Sequence, residues 1–303
     1  MKAKFFDCPP FLHDLYQGEL ATIVPDLEIN IGNPSRDEVV ALLADAAFAM
    51  NDHTKMDEAL LKACPSLKTI VFLGTGAASF IDLAAAERLG IRVRAYGGYG
   101  DQSVAEHALA LMFAAARQIA TMDRALRQGH WETLNGIELS GKVLGVVGTG
   151  GIGKVMVRLG AALGMRVIAW NRSGVPQDLP CRAVELDALL AEADVVSLHL
   201  ALNEGSRGLI DRRRISLIRR GAILINTARG AILDEEALID ALREGRIGHA
   251  GLDVFADEPL QKDHPLTRLS NVTLTAHAAF MTREASERLL RMALEILAEE
   301  RAA

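Results

Sequence analysis

Three short segments of the chain each hold one side chain able to do chemistry. INTARG carries Arg229, DVFADEP carries Glu258 and LTAHAAF carries His277. Each lies at or just after an apolar run of strand character, and in an open parallel sheet ligands collect beyond the carboxyl ends of strands. An arginine clamps a carboxylate and polarises a neighbouring carbonyl. Histidine as a residue type titrates near neutrality, so it can give up a proton as hydride arrives at carbon. A glutamate paired with that histidine favours the imidazolium and fixes its orientation. Taken singly, each residue also has a purely structural reading: Arg229 as a strand-end cap, Glu258 as a turn residue before Pro259, His277 as a satisfied buried histidine. Spacing alone does not choose between these.

A hydride needs a carrier, and residues 143–173, VLGVVGTGGIGKVMVRLGAALGMRVIAWNRS, have the pattern of a dinucleotide turn. GxGxxG alone is a weak signal. Here it follows an apolar strand, opens a helix and is succeeded by a second strand, RVIAW, which makes it much stronger. Gly148 would permit the tight turn, Gly150 the approach of a pyrophosphate and Gly153 close helix–strand packing. The helix N-terminus offers amide donors to the phosphates. The second strand ends in Asn171-Arg172-Ser173, where a carboxylate would grip the adenosine ribose diol. Asparagine does not repel a ribose phosphate, Arg172 can pair with one and Ser173 can donate to it, so NADP (NADPH) is the expected cofactor, with NAD at lower preference. The alternative is that Arg172 merely solvates a loop.

These residues need a scaffold, and the pattern supplies alternating strands and helices. Strands are expected at residues 27–31, 47–50, 67–73 and in IRVRAY, with helices at 36–43, 56–63 and 80–89 between them. Gly97-Gly98-Tyr99-Gly100 then forms the best hinge candidate. The run SVAEHALALMFAAARQIATMDRALRQG reads as one long helix closed by Gly129, apolar around much of its surface and hence buried between domains or against a second subunit. A second alternating set begins at Lys142. VLGVVG, RVIAW, DVVSLHL, AILINT, HAGLDVF and NVTLTAH read as strands, and 152–163, 186–192, 235–244 and 283–300 as helices. The expected fold is α/β, two Rossmann-like domains with parallel sheets and a cleft between them. Residues 1–98, completed by 281–303, would form the substrate domain, and 99–280 the dinucleotide-binding domain.

Bulk properties narrow the function classes. Of 303 residues, 50% are hydrophobic and 24% charged, a globular composition. The net charge of −6 argues mildly against a general nucleic-acid surface. Cys8, Cys64 and Cys181 lie far apart without metal-ligand spacing, which suits a reducing cytoplasm better than a disulfide framework. The start, MKAKFFDCPPFLHD, turns to aspartate and prolines where a secretory leader would be apolar, and no run approaches 18 uninterrupted apolar residues. A cytoplasmic protein with no membrane and no nucleic-acid partner is expected.

The chain resembles the D-isomer-specific 2-hydroxyacid dehydrogenases along nearly its whole length. The matching stretches are VAEHALALMFAAAR, VLGVVGTGGIGK, SLHLALNEGSRGLI, GAILINTARGAILDEEALIDAL, HAGLDVFADEPL and NVTLTAHAAF. The resemblance implies that Arg229 binds the substrate carboxylate and carbonyl, that Glu258 supports the histidine and that His277 is the acid–base residue. It implies that Asp253 holds the nicotinamide carboxamide, with further cofactor contacts from Thr149, Gly151, Ile152, His199, Ala201, Thr227 and Ala228 beside the glycines, Arg229 and His277. The loop LGTGAA resembles a carboxylate-binding loop, which would make Thr75 and Gly76 anion-binding amides. A homodimer joined through the cofactor domains is implied too. Some departures stand out. His199-Leu200-Ala201-Leu202 lacks the family's usual proline, Ala276 replaces another, and RAYGGYG and Ala278-Ala279-Phe280-Met281 depart from the usual loops.

The reading that follows is NADPH-preferring reduction of a small 2-oxo acid, glyoxylate or hydroxypyruvate in type, to the D-2-hydroxy acid. Tyr99, Phe280 and Met281 could instead line a larger pocket for branched or aromatic 2-oxo acids, whereas LGTGAA has no basic cluster for a phosphorylated substrate. Rivals of another kind are a dinucleotide-sensing interaction protein that turns over poorly and an NAD-linked oxidation of formate or phosphite.

Overall fold

The computed structural model describes residues 1–302 as two compact units, each an α/β layer structure. The first comprises Met1–Gly100 and the segment beginning at Met281. Its strands are β1 (Lys2–Cys8), β2 (Glu28–Ile31), β3 (Ala46–Asn51), β4 (Thr69–Phe72) and β5 (Arg92–Arg94). All pair in parallel, in the order β2-β1-β3-β4-β5. Between them run α1 (Pro10–Leu15), α2 (Glu19–Ile23), α3 (Arg36–Leu43), α4 (Glu58–Lys62) and α5 (Leu83–Arg88). Ser35 and Glu38 form a capping box that starts α3, and Asp57 and Asp82 cap α4 and α5.

β3, AAFAMN, is buried at every position, as a strand covered on both faces must be. One face packs Phe6, Ala49, Ile70 and Phe72 on Val39, Leu43, Leu60 and Ala85. The other packs Phe5, Met50 and Val71 on Leu289, Leu290, Ala293, Leu294 and Leu297 of the terminal helix, Arg283–Ala302. The chain's last helix therefore completes the core of its first hundred residues.

The second unit, Asp101–Phe280, is built on seven parallel strands. They are β6 (Val143–Val147), β7 (Arg166–Trp170), β8 (Arg182–Ala183), β9 (Val195–Leu198), β10 (Ala222–Asn226), β11 (Ile247–Leu252) and β12 (Val272–Leu274), ordered β12-β11-β10-β9-β6-β7-β8. The helices are α6 (Asp101–Ala116), α7 (Ile119–Arg127), α8 (Gly151–Ala162), α9 (Leu186–Glu192), α10 (Arg212–Leu217) and α11 (Glu235–Arg243). The order reverses between β6 and β9, which are followed directly by Gly148 and His199. A ligand crevice is expected at such a switch point.

The structure departs from the sequence pattern at two places. β1 has no clear strand pattern, because its apolar residues share it with Lys2, Lys4 and Asp7. The lysines reach Glu28 and Asp45, and the buried Asp7 carboxylate accepts the backbone amides of Asp52, His53 and Thr54. The long helix expected to run to Gly129 is two helices. Gln118 takes a left-handed φ of 53° and its side chain donates to Asn135 O, while Ile137 N bonds Ala116 O at the end of α6. The returning segment thus terminates α6 and leaves Phe113, Ile119, Leu126, Trp131 and Ile137 exposed.

Candidate active site

Gly148, with φ of 97°, directly follows β6, and a Cβ there would collide with the carbonyl of His199. A Cβ on Gly153 would collide with Gly148 O. Only glycine lets β6, α8 and the end of β9 approach so closely. Gly150, by contrast, faces open space and is followed by the N-terminus of α8. The Asp101 carboxylate lies against Gly151, and its burial pushes its pKa above the usual carboxylate value.

Three buried polar atoms around this switch point have no partner among the described residues: Thr149 Oγ1, His199 Nδ1 and Thr227 Oγ1. A buried unpaired hydroxyl or ring nitrogen costs about 1–3 kcal/mol. Their grouping at the carboxyl ends of β6, β9 and β10, beside a glycine cradle, fits a polar ligand of dinucleotide kind. His199 bonds Ser197 Oγ through Nε2 at 2.8 Å, and burial pushes its imidazole down to about 4, so it is neutral at physiological pH. Ala201 is exposed and its carbonyl accepts Ser206 Oγ at 2.7 Å. Asn171 reaches across to Thr149 N at 3.3 Å. Ile152 is half-buried in the first turn of α8.

On the other side of the sheet order, β10 ends in Asn226, whose side chain bonds Ala228 N at 3.0 Å and Arg229 O at 3.1 Å. Arg229 is half-buried, and its guanidinium bonds only the carbonyl of Ala228, at 2.7 Å. It has no carboxylate partner among the described residues, which leaves the fork ready for an external anion. A Cβ on Gly230 would collide with the backbone of Phe255, so this glycine sets the Arg229 loop directly against the loop of Glu258.

Glu258 is anchored by Phe255 N, which donates to Oε1 at 3.0 Å, while Oε2 meets His277 Nδ1 at 2.6 Å. Both side chains are about a third exposed, 33% and 39%. The pair is therefore open to solvent, and the Nε2 edge of His277 is unengaged by any described residue. Phe280 lies edge-on to the imidazole, with centroids 6.5 Å apart.

His277 has a φ of 50°, a left-handed conformation that costs an L-residue about 1–2 kcal/mol. Asp253 explains how it is held. Its carboxylate accepts Thr275 Oγ1 at 2.6 Å, Ala278 N at 2.9 Å and Ala279 N at 3.0 Å, and its carbonyl accepts His277 N at 2.8 Å. His107 of α6 closes the network on Thr275 Oγ1 at 2.9 Å. The residue expected to face a carboxamide is thus wholly buried, and three protein donors already occupy its carboxylate. Sequence reasoning missed this role because it depends on the left-handed turn, which no local pattern announces. Arg172 is exposed and lies over the loop at Gly205, and Ser173 Oγ accepts from Asn171 Nδ2 at 2.9 Å. Thr75 and Gly76 lie in the loop after β4 of the first unit.

The profile of the D-isomer specific 2-hydroxyacid dehydrogenase NAD binding domain matches residues 109–279. The chain belongs to this family. It is 41% identical to a glyoxylate reductase of Aeropyrum pernix over 84% of its own length and 79% of that protein's. It is 38% identical to a hydroxypyruvate reductase of Thermotoga maritima, covering 87% of this chain and 88% of that one. A D-3-phosphoglycerate dehydrogenase of Mycobacterium leprae is 39% identical, but the match spans only 53% of its length. Among solved structures, the TT0316 protein of Thermus thermophilus superimposes with a TM-score of 0.87 at 34% identity, covering 99% of this chain and 97% of that one. The fold class and the family expected from the motifs are those found. No helix among the described residues is long and apolar enough to cross a membrane.

Proposed function

We propose that the chain reduces a small 2-oxo acid of the glyoxylate or hydroxypyruvate type to its D-2-hydroxy acid, with NADPH preferred over NADH. The observation that carries the reading is the His277–Glu258 pair at 2.6 Å, joined through Phe255 and Gly230 to an arginine with no carboxylate partner among the described residues. The nicotinamide, when bound, supplies the hydride. The residues of the second unit do the rest. Arg229 binds the substrate carboxylate and polarises the adjacent carbonyl. His277, held at Nδ1 by Glu258, offers Nε2 to the carbonyl oxygen and gives it the proton it needs as it becomes a hydroxyl. Glu258, bonded to Nδ1, keeps the ring aligned with Nε2 turned away from it. Thr149, His199 and Thr227 are the residues that would hold the dinucleotide, together with Gly148–Gly153. Thr75 and Gly76 are proposed as further amide donors to the substrate anion.

The absence of any carboxylate at Asn171 supports the NADPH preference, and the relatives named glyoxylate and hydroxypyruvate reductase support the small substrate. The edge-on Phe280 favours a second reading, larger apolar 2-oxo acids, because it presents an aromatic surface beside the acid–base residue. A homodimer through the second unit is proposed from the exposed Phe113, Ile119, Leu126, Trp131 and Ile137 on and after α6 and α7. Initial rates of NADPH and NADH oxidation, run side by side from glyoxylate through pyruvate to phenylpyruvate, test the reading. Strong turnover of a small acid with NADPH supports it. Turnover confined to the bulky acids moves it to the second reading, and silence with both cofactors overturns it.

A further inference from the structure

Beyond the end of β7 lies a cavity of about 550 Å³, lined on its polar side by Thr149, Gly150, Lys154, Asn171, Ser173 and Gly174. Arg172 does not line it. A Cβ on Gly205 would sit 2.8 Å from Arg172 Nη1, so the guanidinium lies over that loop instead. We propose that Lys154, and not Arg172, is the cation that binds the 2′-phosphate of the adenosine ribose, a phosphate monoester dianion. The assignment rests on the NADPH reading above and names the residue that would produce it.

Four observations converge on this cavity. Lys154 stands in the first turn of α8, where the helix N-terminus already favours an anion. It makes no ion pair among the described residues, and no carboxylate lines the cavity to neutralise it. Thr149 is 4% exposed, and its hydroxyl, without a partner among the described residues, borders the same space. Asn171 is a loop clasp: it accepts Thr149 N and donates to Ser173 Oγ and, at 3.0 Å, to Gly174 O. Ser173 thereby accepts a hydrogen bond while its own hydroxyl proton stays available to a phosphate. The compact ammonium of Lys154 brings three donors to a doubly charged group.

The test is a fluorescence titration of the full chain with NADPH and with NADH, together with displacement by 2′-AMP or 5′-AMP. A charged hydrogen bond is worth about 1.5–3 kcal/mol, so Lys154→Gln is expected to weaken NADPH binding about tenfold to hundredfold. NADH binding should move less than about twofold, since a 2′-hydroxyl offers no charge to lose. Displacement by 2′-AMP should weaken in parallel with NADPH, that by 5′-AMP should not, and Lys154→Arg should restore both. Arg172→Gln should leave the NADPH-to-NADH ratio in place. If Arg172→Gln erases the ratio and Lys154→Gln preserves it, the assignment to Lys154 is overturned while the NADPH reading stands. If the unaltered protein binds NADH as tightly as NADPH, that reading falls and this one with it.

Discussion

Asp253→Ala separates two roles for a residue whose position suggests cofactor contact and whose surroundings suggest another task. The carboxylate holds the amides of Ala278 and Ala279 and the hydroxyl of Thr275, and so fastens both sides of the left-handed His277. Truncation removes all three hydrogen bonds. The left-handed backbone costs about 1–2 kcal/mol, and without those bonds only His277 N on the carbonyl of residue 253 and Nδ1 on Glu258 still hold the turn. A shift of that size lowers the population of the competent turn about 5- to 30-fold. Reductive kcat at saturating dinucleotide should fall by that factor, while the dissociation constant for the dinucleotide, read by fluorescence, changes little. Asp253→Asn should fall between, because its one oxygen still accepts Thr275 and Ala278 while its amide abuts the N–H of Ala279. Circular dichroism would verify that both variants fold. An unchanged kcat with dinucleotide binding weakened tenfold would refute the reasoning and return Asp253 to the carboxamide.

Glu258→Gln removes the negative partner of His277, and kcat for reduction should drop about tenfold to hundredfold, below a fully buried pair because both groups are partly in water; an undiminished rate would show that the imidazole needs no carboxylate. Gly230→Ala drives a methyl into the backbone of Phe255 and must part the Arg229 and Glu258 loops, so activity should fall at least tenfold even where the variant folds; steady-state rates beside a thermal melt distinguish this from simple unfolding. Acid should destabilise the second unit before exposed carboxylates respond. Burial holds His199 and His249 at about 4, below the ordinary 6.5, so the unfolded chain takes up protons first. The stability these histidines contribute is complete above pH 6.5 and is lost as pH falls toward 4, about 3 kcal/mol for each. His53, whose imidazole is pushed up by its hydrogen bond to Asp52, acts in the opposite sense and loses its contribution as pH rises. Melting curves between pH 7 and 4 check the sign: a flat midpoint across that window would contradict the burial argument.

Much of the frame was legible along the chain. Parallel strands buried on both faces must be written as continuous apolar runs, and β3, β6, β9 and β10 could be found by that alone. The dinucleotide turn was legible by its glycine spacing between two apolar strands, and in the fold Gly148 and Gly153 each avoid a collision while Gly150 leaves open space. Arg229, Glu258 and His277 could be nominated by residue type, and the family's motifs gave them roles. Other features were settled only in three dimensions. β1 escaped detection because its charged residues find partners on β2, on the loop before β3 and in the amides after it, and such partners lie far away in sequence. The break after α6 depends on a segment that returns to bond the helix end. The three donors around the Asp253 carboxylate, the place of the Arg172 guanidinium over Gly205 and that of Lys154 beside the cavity likewise appear only in the folded chain. Residue type and local period specify which groups exist and which elements carry them. Which group meets which depends on side-chain directions at loop ends, where backbone angles are chosen by contacts from distant parts of the chain.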